Sequence, residues 1–247
     1  MDLVWTLESS RPGPPSLPAG VRVYAVGDIH GRDDLLRGVF ARIDADLEAH
    51  PVTHAIEVYL GDYVDRGGGS REVIEALIGR SRDRDTVFLK GNHETYVTGF
   101  LSDPTVLRTW RQFGGLETLM SYGVRPSLAP AEADPIQLSR ALSRALPDRH
   151  HAFFATLMPF FSLGDYFFVH AGVRPGVPLE RQAETDLLWI RQDFLLSEDW
   201  HGKMIVHGHT PVREPEFLAN RINIDTGAYA TGRLTCLIVE HDRMMLL

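Results

Sequence analysis

Five short segments constrain this chain more than anything else in it. They are Gly-Asp-Ile-His-Gly at 27–31, Gly-Asp-Tyr-Val-Asp-Arg-Gly at 61–67, Gly-Asn-His-Glu at 91–94, His-Ala-Gly at 170–172 and His-Gly-His-Thr at 207–210. Each sets Asp, Asn or His beside glycine, and each follows a short apolar, β-branched run of the kind that forms a buried strand. Strands predicted at 21–26, 55–60 and 86–89 alternate with helices. Leu35, Leu36, Val39, Phe40, Ile43 and Leu47 mark one helix by their spacing. Ser70 is placed to cap another reaching residue 78, with Glu72 and Glu75 in its early turns. Further strands are predicted at 166–169, 204–206, 222–224 and 234–239. The alternation implies an α/β fold with a mostly parallel sheet. Ligands of open α/β sheets lie outside the carboxyl ends of the strands, so the five polar segments are expected to meet at one edge.

From Thr95 to about Met158 the pattern changes to helical stretches interrupted by Pro104, Pro126, Pro130, Pro135 and Pro147. This predicts a helical insertion over about 95–160, covering one end of the sheet. Trp110, Phe113, Phe153, Phe154, Phe160 and Phe161 in or beside it are expected to pack it down. Residues 1–20 form a leader whose Pro-rich part, 9–20, is expected to be extended and weakly ordered. The remainder, 21–247, is long enough for one domain with a full core.

Composition removes several classes of function. The formal charge of −8 disfavours general nucleic-acid binding, because a phosphate backbone attracts basic faces. No apolar run approaches the roughly 20 residues of a membrane span, and the start lacks the pattern of a signal peptide. The single cysteine, Cys236, cannot form an internal disulfide, so a reducing cytoplasm is the expected location. Cys236 also lies within a predicted strand, without the loop of backbone amides and closing arginine that a cysteine phosphatase requires. No obligate protein partner is evident.

The polar segments carry the chemistry. Asp28 and His30 stand two apart in a glycine-bounded turn, where both side chains can reach one ion. Asp62 has two carboxylate oxygens and can bridge two ions. Asn92 offers an amide oxygen, and His170 and His209 offer imidazoles. A mixed oxygen and nitrogen set without thiolate suits Mn²⁺, Fe or Zn²⁺. Any one segment alone is more often a capped turn; their joint occurrence after successive strands points to two metal ions. His93 adjoins a ligand and can protonate a leaving group if a carboxylate fixes its ring. Arg66 has a forked head that matches two phosphate oxygens.

Taken together, these segments resemble the PPP family of metal-dependent serine/threonine phosphatases, within the calcineurin-like metallophosphoesterase superfamily, and most of all its compact bacterial and phage-lambda-type members. The resemblance runs from about Val21 to Val239. It implies a β-sandwich flanked by helices. It gives Asp28, His30 and Asp62 to one metal, and Asp62, Asn92, His170 and His209 to the other. It makes His93 the general acid, oriented by Asp65, and sets Arg66 on the substrate phosphate. Arg191, in Leu-Leu-Trp-Ile-Arg, resembles a second phosphate-binding arginine. Three glycines, Gly67 to Gly69, stand where many relatives have a proline, which predicts a looser loop around Arg66. Tyr229 lies near the place of a rim tyrosine but shifted by one.

The resemblance implies a phosphomonoesterase acting on phosphoserine and phosphothreonine, with phosphotyrosine as a further option. Phosphoproteins or phosphopeptides are then the partners, and two divalent cations, manganese first, the cofactors. A symmetrical dinucleoside-tetraphosphate hydrolase is the alternative. Asp65 and Glu94 favour the protein phosphatase, because related tetraphosphatases tend to lack that Asp and to read Gly-Asn-His-Asp. A scaffold that only binds partners would be expected to have lost ligands, and none is missing.

Overall fold

Strand β1 (Val21–Val26) buries both of its faces: Val23 and Ala25 enter one core, Tyr24 and Val26 another. A strand covered on both sides needs a layer on each. The computed structural model, which describes residues 13–127 and 133–247, supplies them. After β1 come α1 (Asp33–Ala49), β2 (His54–Tyr59), α2 (Ser70–Arg80) and β3 (Asp85–Phe88). Five helices follow: α3 (Asn92–Ser102), α4 (Leu107–Trp110), α5 (Gly115–Ser121), α6 (Pro135–Ala145) and α7 (Asp148–Ala155). The second half contains β4 (Phe160–Leu163), β5 (Tyr166–Val169), α8 (Glu184–Trp189), α9 (Gln192–Leu195), β6 (Met204–His207), β7 (Glu216–Phe217), β8 (Arg221–Asn223), α10 (Ala228–Thr231), β9 (Cys236–Glu240) and β10 (Arg243–Leu246).

The strands form two sheets, ordered β10-β9-β1-β2-β3 and β4-β5-β6-β8-β7. Both are mixed: β1–β2, β2–β3, β5–β6 and β6–β8 run parallel, while β1–β9, β9–β10, β4–β5 and β7–β8 run antiparallel, so the first sheet is antiparallel on its β10 side only and the second at both edges. This corrects the single mostly parallel sheet. Tight returns at Gly164 and at His241–Asp242 force antiparallel neighbours, and these short strands carry little periodic signal. The expected sandwich is present. Val58, Leu60 and Leu89 of the first sheet meet Tyr166, Phe168, Val206 and Ile222 of the second in a shared core. Helices α1 and α2 cover the outer face of the first sheet. On the second, Phe167, Val169 and Ile205 pack against Leu187, Ile190 and Phe194 around α8 and α9.

Three of the prolines between β3 and β4 stand at helix starts rather than at breaks, while Pro126 lies in the loop after α5. Pro135 is the first residue of α6, behind Asp134, whose Oδ1 accepts the N–H groups of Ile136 and Gln137 at 3.0 and 3.1 Å. Pro104 opens a 3₁₀ turn and Pro147 precedes α7, whereas Pro130 lies outside the described residues. Phe153 and Phe154 are buried in this layer as expected, but Phe160 and Phe161 belong to β4. Ser70 is not the cap of α2, because Gly69 holds that place; its hydroxyl instead accepts the Asp65 N–H at 3.1 Å. The weakly ordered leader is also corrected for its described part. Leu17 is buried and donates to the His241 carbonyl at 2.9 Å, and Ser16 bonds Asp165. Residues 9–12 lie outside the described residues.

Candidate active site

All five polar segments reach one edge of the sandwich, each leaving the end of a strand or its following turn. The backbone there is strained. Six described residues other than glycine have φ between +47° and +72°, and five of them are His30, Asp62, Asp65, Arg66 and His209; the sixth, His241, sits in the β9–β10 turn. Such a conformation costs about 1–3 kcal/mol per residue and persists only where the surroundings enforce it. Close packing enforces it here. A Cβ on Gly208 would collide with Asp28 Oδ1, and one on Gly91 with Asp62 Oδ1 and the Asp62 nitrogen. Glu94, fully buried, accepts the N–H groups of Gly91, Asp62 and Tyr63 at 2.8–3.0 Å and so ties the second and third segments together. Its burial, with the nearby Asp62 charge, pushes its pKa up to about 7. Glu94 faces backbone rather than the open site, so it carries no information on substrate class.

Two groups of ligand-type atoms share Asp62: one includes His30, Asp62 and His93, the other Asp62, His170 and His209. In the second, Asn92 Oδ1 lies 2.9 Å from both His170 Nε2 and His209 Nδ1, and those nitrogens are 3.1 Å apart. Asp62 Oδ1 is 3.4 Å from His170 Nε2, and Asp62 Oδ2 is 3.5 Å from His30 Nε2. Backbone carbonyls fix the tautomers. His170 donates through Nδ1 to Leu60 O at 3.0 Å, and His30 through Nδ1 to Val64 O at 2.9 Å. The inner Nε2 of each neutral ring therefore presents a lone pair.

Burial, the largest influence, drives the imidazoles toward neutrality, His30 down to about 3 and His209 down to about 2. Asp28 is held well above the usual carboxylate range, by burial first and then by Asp225 and Asp62. Asp28 Oδ1 and His209 Nε2 are buried with no partner among the described residues. Converging lone pairs and crowded carboxylates, with Asp28 Oδ1 left without a partner, fit two divalent cations.

Beside the first group, His93 donates from Nδ1 to Asp65 Oδ2 at 2.6 Å. Asp65 is fully buried, and its carboxylate also accepts from Trp110 Nε1 at 2.8 and 3.0 Å and from the Thr118 hydroxyl at 2.6 Å. The ring is therefore held by a carboxylate that is itself held. Burial lowers the pKa of His93, but Asp62 and Asp65 outweigh it and raise the group above an ordinary imidazole. His93 Nε2 faces Arg66 Nη2 at 3.3 Å, and the Arg66 guanidinium lies 4.6 Å over the Tyr229 ring. A phosphate oxygen could take both of those N–H groups. The glycine-rich loop is not loosened as expected: Gly67 donates to His30 O and Gly69 to Gly31 O, at 3.1 and 2.9 Å. Arg191 bonds the Thr210 hydroxyl at 3.1 Å, next to His209, and forms no ion pair with Asp193 among the described residues, because Arg174 holds Asp193.

His207 leaves the site. It is buried with its ring 5.0 Å from Phe194, and its Nδ1 lies 3.1 Å from the Gly208 carbonyl. Four contributors to the site were not assigned to it from the sequence. Asp225 is buried against Asp28 and raised to about 6, by burial first; it follows β8 as Asp-Thr-Gly, the same strand-then-glycine signal as the other segments. Trp110 and Thr118 come from the helical layer and carry no local signal. Tyr229, given no role from sequence, lies at the site, edge-on to His30 at 5.5 Å.

Comparisons with known proteins agree with this geometry. The profile of the calcineurin-like phosphoesterase family matches residues 21–236. A bis(5'-nucleosyl)-tetraphosphatase PrpE, asymmetrical, from Anoxybacillus flavithermus is 27% identical over 233 residues, covering 86% of this chain and 88% of the relative. Among solved structures, a candidate diadenosine tetraphosphatase superposes with a TM-score of 0.58 at 17% identity, over 92% of this chain and 94% of the other. A Saccharomyces cerevisiae protein serine/threonine phosphatase does so with 0.57 at 15%, over 95% and 83%. The two superpositions show a shared fold.

Proposed function

Because the chain belongs to the calcineurin-like phosphoesterase family, we propose that it is a two-metal phosphohydrolase that cleaves dinucleoside tetraphosphates. The observation that carries this reading is the pairing of each ligand group with a guanidinium, Arg66 beside His93 and Arg191 beside Thr210 and His209. Neither arginine has a carboxylate partner among the described residues. Two cationic forks, one beside each ligand group, suit a substrate with charge on more than one phosphorus. The acidic composition, which disfavours long nucleic acids, does not bear on a small nucleotide. The relatives' name supports the same substrate class and favours asymmetrical over symmetrical scission, so that diadenosine tetraphosphate would yield ATP and AMP.

In this reading Asp28, His30 and Asp62 hold one cation, and Asp62, Asn92, His170 and His209 the other. Manganese, iron or zinc fits the set. When bound, the two ions neutralise phosphoryl charge and lower the pKa of water to near neutrality. Arg66 and Arg191 bind and orient the phosphates. His93 keeps a proton at Nε2 for the leaving oxygen, and Asp65 fixes its ring.

One observation favours a second reading, a phosphoserine or phosphothreonine monoesterase. An alkoxide leaving group needs a proton, whereas a departing nucleotide phosphate is already a weak base. The 2.6 Å Asp65–His93 pair is the apparatus for the harder task. Turnover with Mn²⁺ on diadenosine tetraphosphate, phosphopeptides and p-nitrophenyl phosphate separates the two. The first reading expects the highest kcat/KM on the tetraphosphate, with ATP and AMP as products. A higher kcat/KM on phosphopeptides would transfer the assignment to the second.

A further inference from the structure

An aromatic wall stands at the mouth of the site, and the reaction described above does not use it. Tyr96 stacks on Phe113 with ring centroids 5.6 Å apart and planes 17° apart, and meets Trp189 edge-on at 5.8 Å. The wall begins and ends on site histidines: Phe113 is 6.2 Å from His93, and Trp189 is 6.4 Å from His209. Its two outer rings are open to solvent, Phe113 at 38% and Trp189 at 39% exposure. Core packing does not explain them, which corrects the expectation for Phe113.

We propose that Phe113 and Trp189 are nucleobase platforms, one at each end of the bound phosphate chain, with Tyr96 as the brace between them. This rests on the dinucleotide reading above. The placement is paired. The residue after Phe113, Gly114, accepts the Arg66 N–H at 3.2 Å, and Arg191 lies two residues beyond Trp189. Each open ring thus accompanies one phosphate-binding arginine and one ligand group. A molecule with a base at both ends and phosphates between matches that order. Exposed aromatic faces bind bases by stacking, with little dependence on base identity, so purine and pyrimidine dinucleotides would both be accepted.

Calorimetric titration of the manganese-loaded full chain with AMP and with ribose 5-phosphate isolates the base. AMP is expected to bind about tenfold more tightly, the size of one base–aromatic contact. In Phe113→Ala/Trp189→Ala the two Kd values should converge, with that for ribose 5-phosphate unchanged, while Trp189→Phe should keep the preference. Both rings are partly exposed, so the melting temperature of the double variant should match the wild type. Equal Kd values in the wild type, or a preference that survives the double variant, overturns the platforms. The KM for diadenosine tetraphosphate, raised in the double variant, tells the two failures apart. Turnover with an unchanged KM keeps the dinucleotide reading and removes the platforms. A ring-dependent AMP preference without tetraphosphate turnover keeps base binding and removes the reading.

Discussion

His93 shows how much of the chemistry rests on single contacts. Its protonated form is the useful one, and its pKa is held up against burial by Asp62 and Asp65. Bound cations would cancel the influence of Asp62, which leaves Asp65. Asp65→Asn should therefore move the alkaline limb of the pH–kcat profile to lower pH, by about one to three units on an alkyl phosphate. His93→Asn should lower kcat on that substrate by roughly 10²–10⁴, and far less on p-nitrophenyl phosphate or a tetraphosphate, whose leaving groups need little protonation. Equal losses on all three substrates would remove His93 as the proton donor. The positions of Asp28, His30, Asp62, Asn92, His93, His170 and His209 could be read from sequence because each follows a strand at fixed spacing. The grip on Asp65 could not. Trp110 and Thr118 are 45 and 53 residues away in the chain, and only the packing of the helical layer brings them in.

At the scale of the element, the turn after β6 decides which of two histidines faces the metals. β6 runs through His207, whose side chain points to Phe194; Gly208 packs on Asp28, and His209 then turns inward with φ of 65°. His209→Ala should lose one metal and nearly all activity. His207→Gln should keep both metals and lose stability instead. Burial, and then the Arg221 guanidinium, lowers the pKa of His207 to about 3. An imidazole depressed in the fold stabilises it at neutral pH, and that stability disappears as pH falls below the unfolded value of about 6.5. The difference in stability between wild type and His207→Gln should accordingly narrow by up to about 1.4 kcal/mol for each pH unit below 6.5. Thermal melts of both proteins at pH 7.5 and pH 5 measure this, and metal counts on both variants test the assignment. A gap constant with pH would mean that His207 is not buried neutral. The resemblance assigns the ligand role to His209; that His207 takes the opposite face of β6 became visible only with Phe194 in place.

For the whole molecule, the sandwich brings ligands from both sheets to one edge: Asp28, Asp62 and Asn92 follow strands of the first, His170 and His209 strands of the second. The sequence indicated strands and their order but not their division into two sheets, because strands buried on both faces show the same apolar runs in either arrangement. That division gives the metals a role in stability as well as chemistry. Asp62 of one sheet and His170 of the other belong to one ligand group, so a cation there ties the layers together, and it also offsets the crowding of Asp28, Asp62 and Asp225. Chelation should abolish activity and lower the melting temperature; added Mn²⁺ should restore both. A cation at 100 times its Kd adds about 2.7 kcal/mol, so the melting temperature should climb with Mn²⁺ concentration before it levels. Asp62→Asn should lose most of that climb, because the residue serves both ligand groups, whereas a change at Trp189, outside them, should leave it intact. Metal-free protein, verified by elemental analysis, that still turns over at the full rate would exclude the two-metal mechanism; a melting temperature indifferent to Mn²⁺ would show instead that the two sheets hold together without the ions.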